Sequence, residues 1–309
     1  MPNLPQISIV VPVYRAENTL WPLFNQIKAV LSKLNFEIIL VDDCGGDDSW
    51  EVIEAICAKH PEAKGLRLSR NFGQHAAITA GLERVSGEYV VVMDCDLQDD
   101  PAELAKLYKH IKSERLDIVL ARRTNRQDSF KKRMGSKYFY KVLSFFTNTE
   151  QDSSVANYGI YTAQAIQEVC RMGDYVRFFP LFIRWVGFDL GYLDINHQAR
   201  EDGSSNYTFR KLWQLAIDNI ISFSNKPLYL TVNLGVAVTV LSFFGMVLTL
   251  FRYFLGQIEV LGYTSLILII TMFFGIVISI LGIIGIYIAK IFDQVKGRQN
   301  YIVREGLNF

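Results

Sequence analysis

Two short acidic clusters carry the clearest chemistry in this sequence. The first is Asp42-Asp43-Cys44-Gly45-Gly46-Asp47-Asp48; the second is Asp94-Cys95-Asp96-Leu97-Gln98-Asp99-Asp100. Each follows an apolar run of the kind that forms a buried strand, FEIILV before the first and YVVVM before the second. Carboxylates at strand ends suit a hard divalent cation such as Mg²⁺ or Mn²⁺, which takes oxygen ligands and is held by one or two carboxylates plus phosphate oxygens. An ion of that kind neutralises a diphosphate leaving group. A lone D-x-D has a plainer reading, as a solvated loop or a helix cap, and Asp43, Asp99 and Asp100 are expected to face solvent or cap helices. Asp94 and Asp96 rise above that reading because they follow a buried strand directly and are matched by a second acidic strand end.

The elements that would position these residues alternate between strand and helix. Strands are expected at 7–13, 36–41, 65–68, 89–93 and 117–121, and helices at 18–34, 48–59, 74–85 and 101–112, the last with Pro101 at its start. This β-α alternation implies a parallel sheet with helices on both faces. Ligands of such sheets bind outside the carboxyl ends of the strands, where both acidic clusters fall. The first strand runs into Pro12-Val13-Tyr14-Arg15-Ala16-Glu17-Asn18 rather than G-x-G-x-x-G, which argues against a dinucleotide-binding domain.

The C-terminal third has a different composition. No Asp, Glu, Lys or Arg occurs from 227 to 251 or from 260 to 289, and each run exceeds the ~20 apolar residues needed to span a bilayer as a helix. Two spans joined by a short turn imply a transmembrane hairpin; the alternative is a pair of buried core helices. Lys226 precedes the first run, and Lys290, Lys296, Arg298 and Arg304 follow the second, whereas the turn carries Arg252 alone as a cation. The positive-inside rule then puts both termini and the large N-terminal domain in the cytoplasm. Gly275, Ser279, Gly282 and Gly285 are small enough to pack hairpins of a homo-oligomer together, or to pack the two spans of one chain.

Bulk properties narrow the classes further. With 32 Lys+Arg against 31 Asp+Glu, no global basic field points to nucleic acid. Four cysteines in no C-x-x-C pair read as reduced thiols of a cytosolic domain, and the short polar start shows no signal peptide. His60, His75, His110 and His197 are isolated and read as structural.

The segments VVPVYRAEN, LVDDCGGD, LSRNFGQHAAITAG and VVMDCDLQDDP together resemble family 2 glycosyltransferases. Within that family they are similar to the polyprenyl-phosphate branch, which includes dolichyl-phosphate mannose synthases and bacterial undecaprenyl-phosphate sugar transferases. The likeness extends to GSSNY at 203–207 and to the two apolar runs. It implies an α/β, Rossmann-like nucleotide-sugar domain of GT-A type with a mostly parallel sheet, followed by a two-helix transmembrane hairpin. The expected divisions are a cytosolic domain at 1–207, a juxtamembrane amphipathic helix at 208–226, two transmembrane helices at 227–289 and a cytosolic tail at 290–309. Pro12, Tyr14, Glu17 and Asp42 would hold the nucleotide; Asp94 would contact the nucleotide sugar; Asp96 and Gln98 would be ligands of Mg²⁺ or Mn²⁺. The implied reaction is inverting transfer of one sugar from a nucleotide diphosphate, a UDP-sugar before a GDP-sugar, to polyprenyl phosphate at the plasma membrane. Its product is a lipid-linked sugar for cell-envelope glycans.

A basic stretch follows the fifth strand: Arg122, Arg123, Arg126, Lys131, Lys132 and Arg133, interleaved with aromatics from Phe130 to Phe146. Beside a membrane such a stretch lies on anionic lipid, and its cations suit a lipid phosphate. The resemblance assigns acceptor or diphosphate binding to Arg122, Lys132 and Arg200. Two departures stand out. Asn157 replaces an acidic residue common in relatives and cannot act as a base, and Asn206 stands where some relatives have Lys. A phosphate monoester has its second pKa near ~6, so it needs positioning more than deprotonation. Three rival readings are a processive polysaccharide synthase, a non-catalytic membrane scaffold and a flippase component. The first uses Q-x-x-R-W, for which this chain has Leu181-Phe182-Ile183-Arg184-Trp185; intact Asp94, Asp96 and Gln98 count against the second. A flippase would need a charged intramembrane residue, which neither apolar run has.

Overall fold

The computed structural model describes residues 4–123, 155–174, 178–195, 224, 226–256 and 263–309. Continuous apolar runs become the central strands β1 (Ile7–Val13), β2 (Phe36–Asp42), β3 (Ala63–Leu68) and β4 (Tyr89–Val92). Every residue of β1 is buried, as expected for a strand covered on both faces. The intervening helices are α1 (Leu20–Val30), α2 (Ser49–Lys59), α3 (Gln74–Leu82) and α4 (Glu103–Glu114). In α1 the buried Leu20, Leu23, Phe24 and Ile27 repeat at helical spacing and form one stripe toward the sheet. After α4 come β5 (Ile118–Arg123), β6 (Val155–Thr162), α5 (Ala163–Arg171), α6 (Phe179–Trp185) and β7 (Leu190–Ile195). Two long helices, α7 (Lys226–Phe254) and α8 (Tyr263–Val295), precede a last strand, β8 (Val303–Leu307).

The eight strands form one sheet in the order β7-β5-β6-β4-β1-β2-β3-β8. The pairs β1–β2, β1–β4, β2–β3 and β5–β7 are parallel; β3–β8, β4–β6 and β5–β6 are antiparallel. The sheet is therefore mixed, and β6 separates β4 from β5, which the alternation alone did not indicate. One core cluster joins β1, β2 and β4 to α1, α2 and α4. A second joins Ile39, Val41, Leu66 and Leu68 to Ala77 and Ala80 of α3. Helix α3 lies close on the sheet, since a Cβ at Gly81 would come within 2.4 Å of Val10 Cγ1.

Two units make up the chain, one comprising 1–145, 149–213 and 298–309, the other 146–148 and 214–297. The last residues, read from sequence as a tail, thus belong to the sheet unit. Ser69 N donates to Ile302 O at 2.8 Å, and Asn308 Nδ2 donates to the carbonyls of Cys57 and Ala63, each at 2.8 Å. In the helical unit, among the described residues, one stretch, Ile276–Val295, is long and apolar enough to cross a membrane by length and composition, and none of it is buried. Most of the expected amphipathic helix at 208–226, all but 224 and 226, and the GSSNY segment lie outside the described residues.

Candidate active site

The parallel strands bring their carboxyl ends to one edge. Val13 is opposite Asp42, and Asp42 is opposite Arg67. On the other flank of β1, the pairing with β4 runs from Ile7–Tyr89 to Val10–Val92 and then stops. Val10 O accepts from Met93 N at 3.2 Å, and Val13 O accepts from Asp43 N at 2.9 Å, so residues 10 and 12 address β4 while 11 and 13 address β2. Pro12 therefore lacks its N–H on the β4 side just where that pairing has ended, and a proline in a central strand loses no ladder bond. Between β1 and β4 the strand order reverses direction, from β2 and β3 on one side to β4 on the other. Such a reversal opens the crevice in which doubly wound sheets bind ligands.

Three loops line this edge, after β1, β2 and β4. Five non-glycine residues among those described have positive φ, and three of them are here: Arg15 (54°), Cys44 (58°) and Leu97 (60°). Left-handed backbone costs a residue with a Cβ about 1–2 kcal/mol, and such strain collects where a site must hold a shape. Side-chain bonds stitch the loops together. Arg15 Nε donates to Gly45 O at 3.1 Å, Ala16 N to Ser49 Oγ at 3.0 Å, Asp48 N to Glu17 Oε2 at 3.1 Å, and Thr19 Oγ1 to Cys95 O at 2.7 Å.

Each residue expected to serve the nucleotide can now be placed. Pro12 is buried in β1; Tyr14 is 42% exposed at its end, with the Arg15 guanidinium 5.4 Å from its ring centroid. Glu17 is half-buried and spans to the β2 loop. Asp42 is 3% exposed. Its Oδ1 accepts from Cys44 N at 3.1 Å, and Arg67 Nε lies 3.5 Å from Oδ2. Burial pushes the Asp42 carboxyl up, against the pull of Arg67 and of the Cys44 and Gly45 amides. Arg67, which the sequence reading passed over, stands above the Trp50 ring with Cζ 5.5 Å from its centroid.

Asp94, Asp96 and Gln98 are all half-buried in the loop after β4. Asp94 Oδ1 accepts from Gln74 Nε2 at 2.7 Å, and Asp96 Oδ1 accepts from Gln98 N at 3.2 Å. Between the two aspartates Cys95 is enclosed, and burial beside both carboxylates pushes its thiol up to about 12. The carboxylate and amide oxygens of Asp94, Asp96 and Gln98 are hard donors of the kind that Mg²⁺ or Mn²⁺ takes. Among the described residues no group of three or more His, Cys, Asp or Glu side chains could hold a metal. A cation here would have to complete its shell from water and from donor phosphates, as Mg²⁺ commonly does.

Several expectations need correcting. Asp43 is buried, not solvent-facing: its Oδ1 accepts from Phe72 N at 2.8 Å and its Oδ2 from Gly73 N at 2.9 Å. Asp99 is 1% exposed. Asp100 does cap its segment, accepting from Ala102 N at 2.8 Å. His75 packs edge-on against Phe178 at 4.8 Å, and burial lowers its pKa to about 4, a neutral structural ring. Asn157 is half-buried on β6, and its neighbour Tyr158 donates to Asp100 O at 3.2 Å. Arg122, next to last in β5, makes a two-point contact with Asp194, Nε to Oδ1 at 2.6 Å and Nη2 to Oδ2 at 3.2 Å. Its charge is already engaged. Lys132 and Arg200 lie outside the described residues.

Comparison with known proteins agrees with this geometry. The model of glycosyl transferase family 2 matches residues 8–169. An uncharacterized glycosyltransferase of Bacillus subtilis, YkcC, is 33% identical over 304 residues, covering 97% of this chain and 94% of its own. The undecaprenyl-phosphate 4-deoxy-4-formamido-L-arabinose transferase of Yersinia pestis is 31% identical over 310 residues, covering 97% and 93%. Glucosyl-3-phosphoglycerate synthase of Mycobacterium tuberculosis, solved with Mn²⁺, UDP-glucose and phosphoglyceric acid, shares the fold. Its TM-score is 0.53 at 15% identity, over 71% of this chain and 78% of that one. With its acidic strand ends gathered at the crevice of a GT-A-like sheet, the chain belongs to glycosyl transferase family 2 and is a glycosyltransferase.

Proposed function

We propose that this enzyme transfers a single sugar, with inversion, from a nucleotide diphosphate sugar to polyprenyl phosphate at the inner face of the plasma membrane. The observation that carries the donor half is the β4 loop, which sets Asp94, Asp96 and Gln98 beside the crevice while Asp42 stands at the end of β2, one strand beyond β1. Asp42, Tyr14, Glu17 and Pro12 line the part that would take the base and ribose. Asp96 and Gln98 would hold Mg²⁺ or Mn²⁺, and Asp94 would meet the nucleotide sugar. When bound, the ion supplies positive charge where the diphosphate departs. Arg15 and the left-handed turn at Leu97 keep the loops in place, so the donor is met by a preformed site.

The acceptor half is supported by resemblance and by composition. The name of the Yersinia enzyme gives it undecaprenyl phosphate as acceptor, and the likeness covers nearly all of both chains. No ionisable side chain stands at Asn157, which suits a phosphate dianion that is its own nucleophile. Arg122, Lys132 and Arg200 are the proposed phosphate contacts; at Arg122 the acceptor would displace Asp194 or add to it.

Membrane insertion is supported by the exposed apolar helices. Phe244, Val247 and Phe251 of α7 and Ile278, Leu281 and Ile288 of α8 all lie open, an unfavourable exposure in water. At 1.5 Å per residue, helices of 29 and 33 residues exceed a hydrocarbon core of about 30 Å. The chain leaves the sheet unit after β7 and returns to it at β8. Whatever crosses a bilayer between those strands crosses an even number of times. This parity fits a two-span hairpin better than a single crossing, and the cations flanking the apolar runs favour the cytoplasmic side for the catalytic unit.

The test is transfer by the purified full-length enzyme, assayed with undecaprenyl phosphate against a panel of UDP- and GDP-sugars, with Mn²⁺ or Mg²⁺ present or chelated. Asp96→Ala is expected to lower turnover by at least a hundredfold without changing the unfolding temperature. Turnover indifferent to both chelation and Asp96→Ala would refute the donor site; a long polymer as product would refute single transfer.

A further inference from the structure

Among the described residues, the hydrogen bond from Gln74 to Asp94 joins two parts of the site that the sequence holds far apart. Gln74 is the first residue of α3, and the sheet order places β1 and β2 between β3, from which its loop departs, and β4, which carries Asp94. The preceding residue, Gly73, has φ 97° and open space around its absent Cβ, a conformation reserved in practice for glycine. Having no side chain, Gly73 cannot cap α3. The loop before it is instead held from another strand: Asp43, 3% exposed just after β2, accepts from Phe72 N and Gly73 N with its two oxygens. The loop is thereby clamped to β2, α3 is fixed against β1 and β2 by the close approach at Gly81, and the amide of Gln74 arrives 2.7 Å from Asp94 Oδ1.

We propose that Gln74 is a positioning residue of the transferase site, orienting the Asp94 carboxylate for the donor, with Asp43 as the anchor that holds Gln74 in place. The inference rests on the donor site described above. An amide suits this task because it donates a hydrogen bond without bringing charge. Lys or Arg in its place would neutralise Asp94 and compete with whatever cationic or hydroxyl group Asp94 meets. Without this bond the Asp94 carboxylate is held less tightly and its productive orientation is less populated, so the loss falls on the donor complex and not on the fold.

Binding of UDP and of GDP to the full-length enzyme, with Mn²⁺ titrated from zero, separates this idea from the broader reading. Gln74→Met keeps length and removes the donor. It is expected to raise the Mn²⁺ concentration needed for half-maximal nucleotide binding about tenfold, the scale of one hydrogen bond to a charged group, with the unfolding temperature unchanged. Should Gln74→Met lower the unfolding temperature, Gln74→Asn is read instead: it keeps the amide but is one methylene too short to reach. Wild-type-like Mn²⁺ dependence in the folded variant would overturn the positioning role while leaving the donor site intact. Failure of the wild-type enzyme to bind either nucleotide with Mn²⁺ would overturn both.

Discussion

Glu37 offers the sharpest quantitative test of how the sheet is held beneath its site. It lies at the amino-terminal end of β2, opposite Ser8 of β1, with its side chain 5% exposed. Oε1 accepts from Ser8 Oγ at 2.5 Å, Ser86 N at 2.7 Å and Ser86 Oγ at 2.9 Å, and Oε2 lies 2.6 Å from Lys64 Nζ. Burial alone would push this carboxyl up; Lys64, Ser8 and Ser86 outweigh it and hold the carboxyl below its ordinary value of 4.5. Removing one partner of a buried pair costs ~3–5 kcal/mol because the remaining charge is stranded. Lys64 is 21% exposed, so water reaches the pair, and three hydrogen bonds to Oε1 survive. About 2 kcal/mol is therefore expected for Lys64→Met, or roughly 4–8 °C in unfolding temperature.

The pH dependence fixes the sign. A carboxyl whose folded pKa is depressed contributes stability that is present above its unfolded pKa and lost as pH falls through the folded value. In Lys64→Met the largest of the lowering contributions is gone, so the folded pKa rises and less stability depends on ionisation of Glu37. The difference in unfolding temperature between wild type and variant should be full at pH 7.5 and shrink toward pH 4. Tryptophan fluorescence of the detergent-solubilised full-length enzyme follows it, with Lys64→Arg as the charge-retaining control. An equal gap at pH 4 and pH 7.5 would show that the loss comes from the packing of the lysine stem, and the electrostatic account would fail.

Further tests address the acceptor end and the last strand. Arg122→Ala should weaken use of polyprenyl phosphate, read as a severalfold higher KM for the lipid at unchanged donor KM, whereas Asp194→Ala should leave the lipid KM equal or lower. A higher lipid KM in both variants would mean that their two-point contact serves only the geometry of β5 and β7. Truncation after Gly297 removes β8, the Asn308 caps and the half-buried Tyr301, Val303 and Leu307. A loss on the order of 4 kcal/mol and self-association through the uncovered β3 edge are expected in light scattering and thermal unfolding. A monodisperse variant with wild-type unfolding temperature would show that β8 is dispensable.

Some of the fold was plain in the sequence for a physical reason. Strands buried on both faces read as unbroken apolar runs, so β1, β2 and β4 stood out, and their acidic ends followed at once. Helix ends were harder. Leu31 and Leu34 continue the apolar period of α1, yet the helix stops at Val30, and Leu34 N closes a tight turn on Leu31 O at 2.9 Å. Helix α4 runs on to Glu114 and stops where Arg115 turns left-handed at φ 52°, a conformation that no arginine announces. The order of strands was beyond local pattern, because β6 enters between β4 and β5 by a long-range pairing of Val91 with Ile160 and Val119 with Ile160. Strand β8 has five residues with Arg304, Glu305 and Gly306 in its middle, and it becomes a strand only because β3 offers a free edge.

The site divides along the same line. Residue type and strand position pointed to Asp94 and Asp96, since a carboxylate after a buried strand has few places to go but the sheet edge; Asp42 was distinguished from Asp43 only by the family resemblance. Type and position did not suffice for Arg67, Asp43 or Gln74, whose meaning lies in a partner 25, 29 or 20 residues away. Arg67 looks like any surface cation until β3 sets it opposite Asp42. Asp43 looks like the second half of an exposed acidic pair until the alternation of β2 turns it to the loop before α3. Adjacent aspartates thus do opposite work: Asp42 addresses the edge where the nucleotide is proposed to lie, and Asp43 binds the loop that carries Gln74 to Asp94. A strand's period of two forces that division, because neighbouring side chains cannot share a face. The same rule makes Asp43→Asn a harsher test of the loop than of the nucleotide pocket, and Asp42→Asn the reverse.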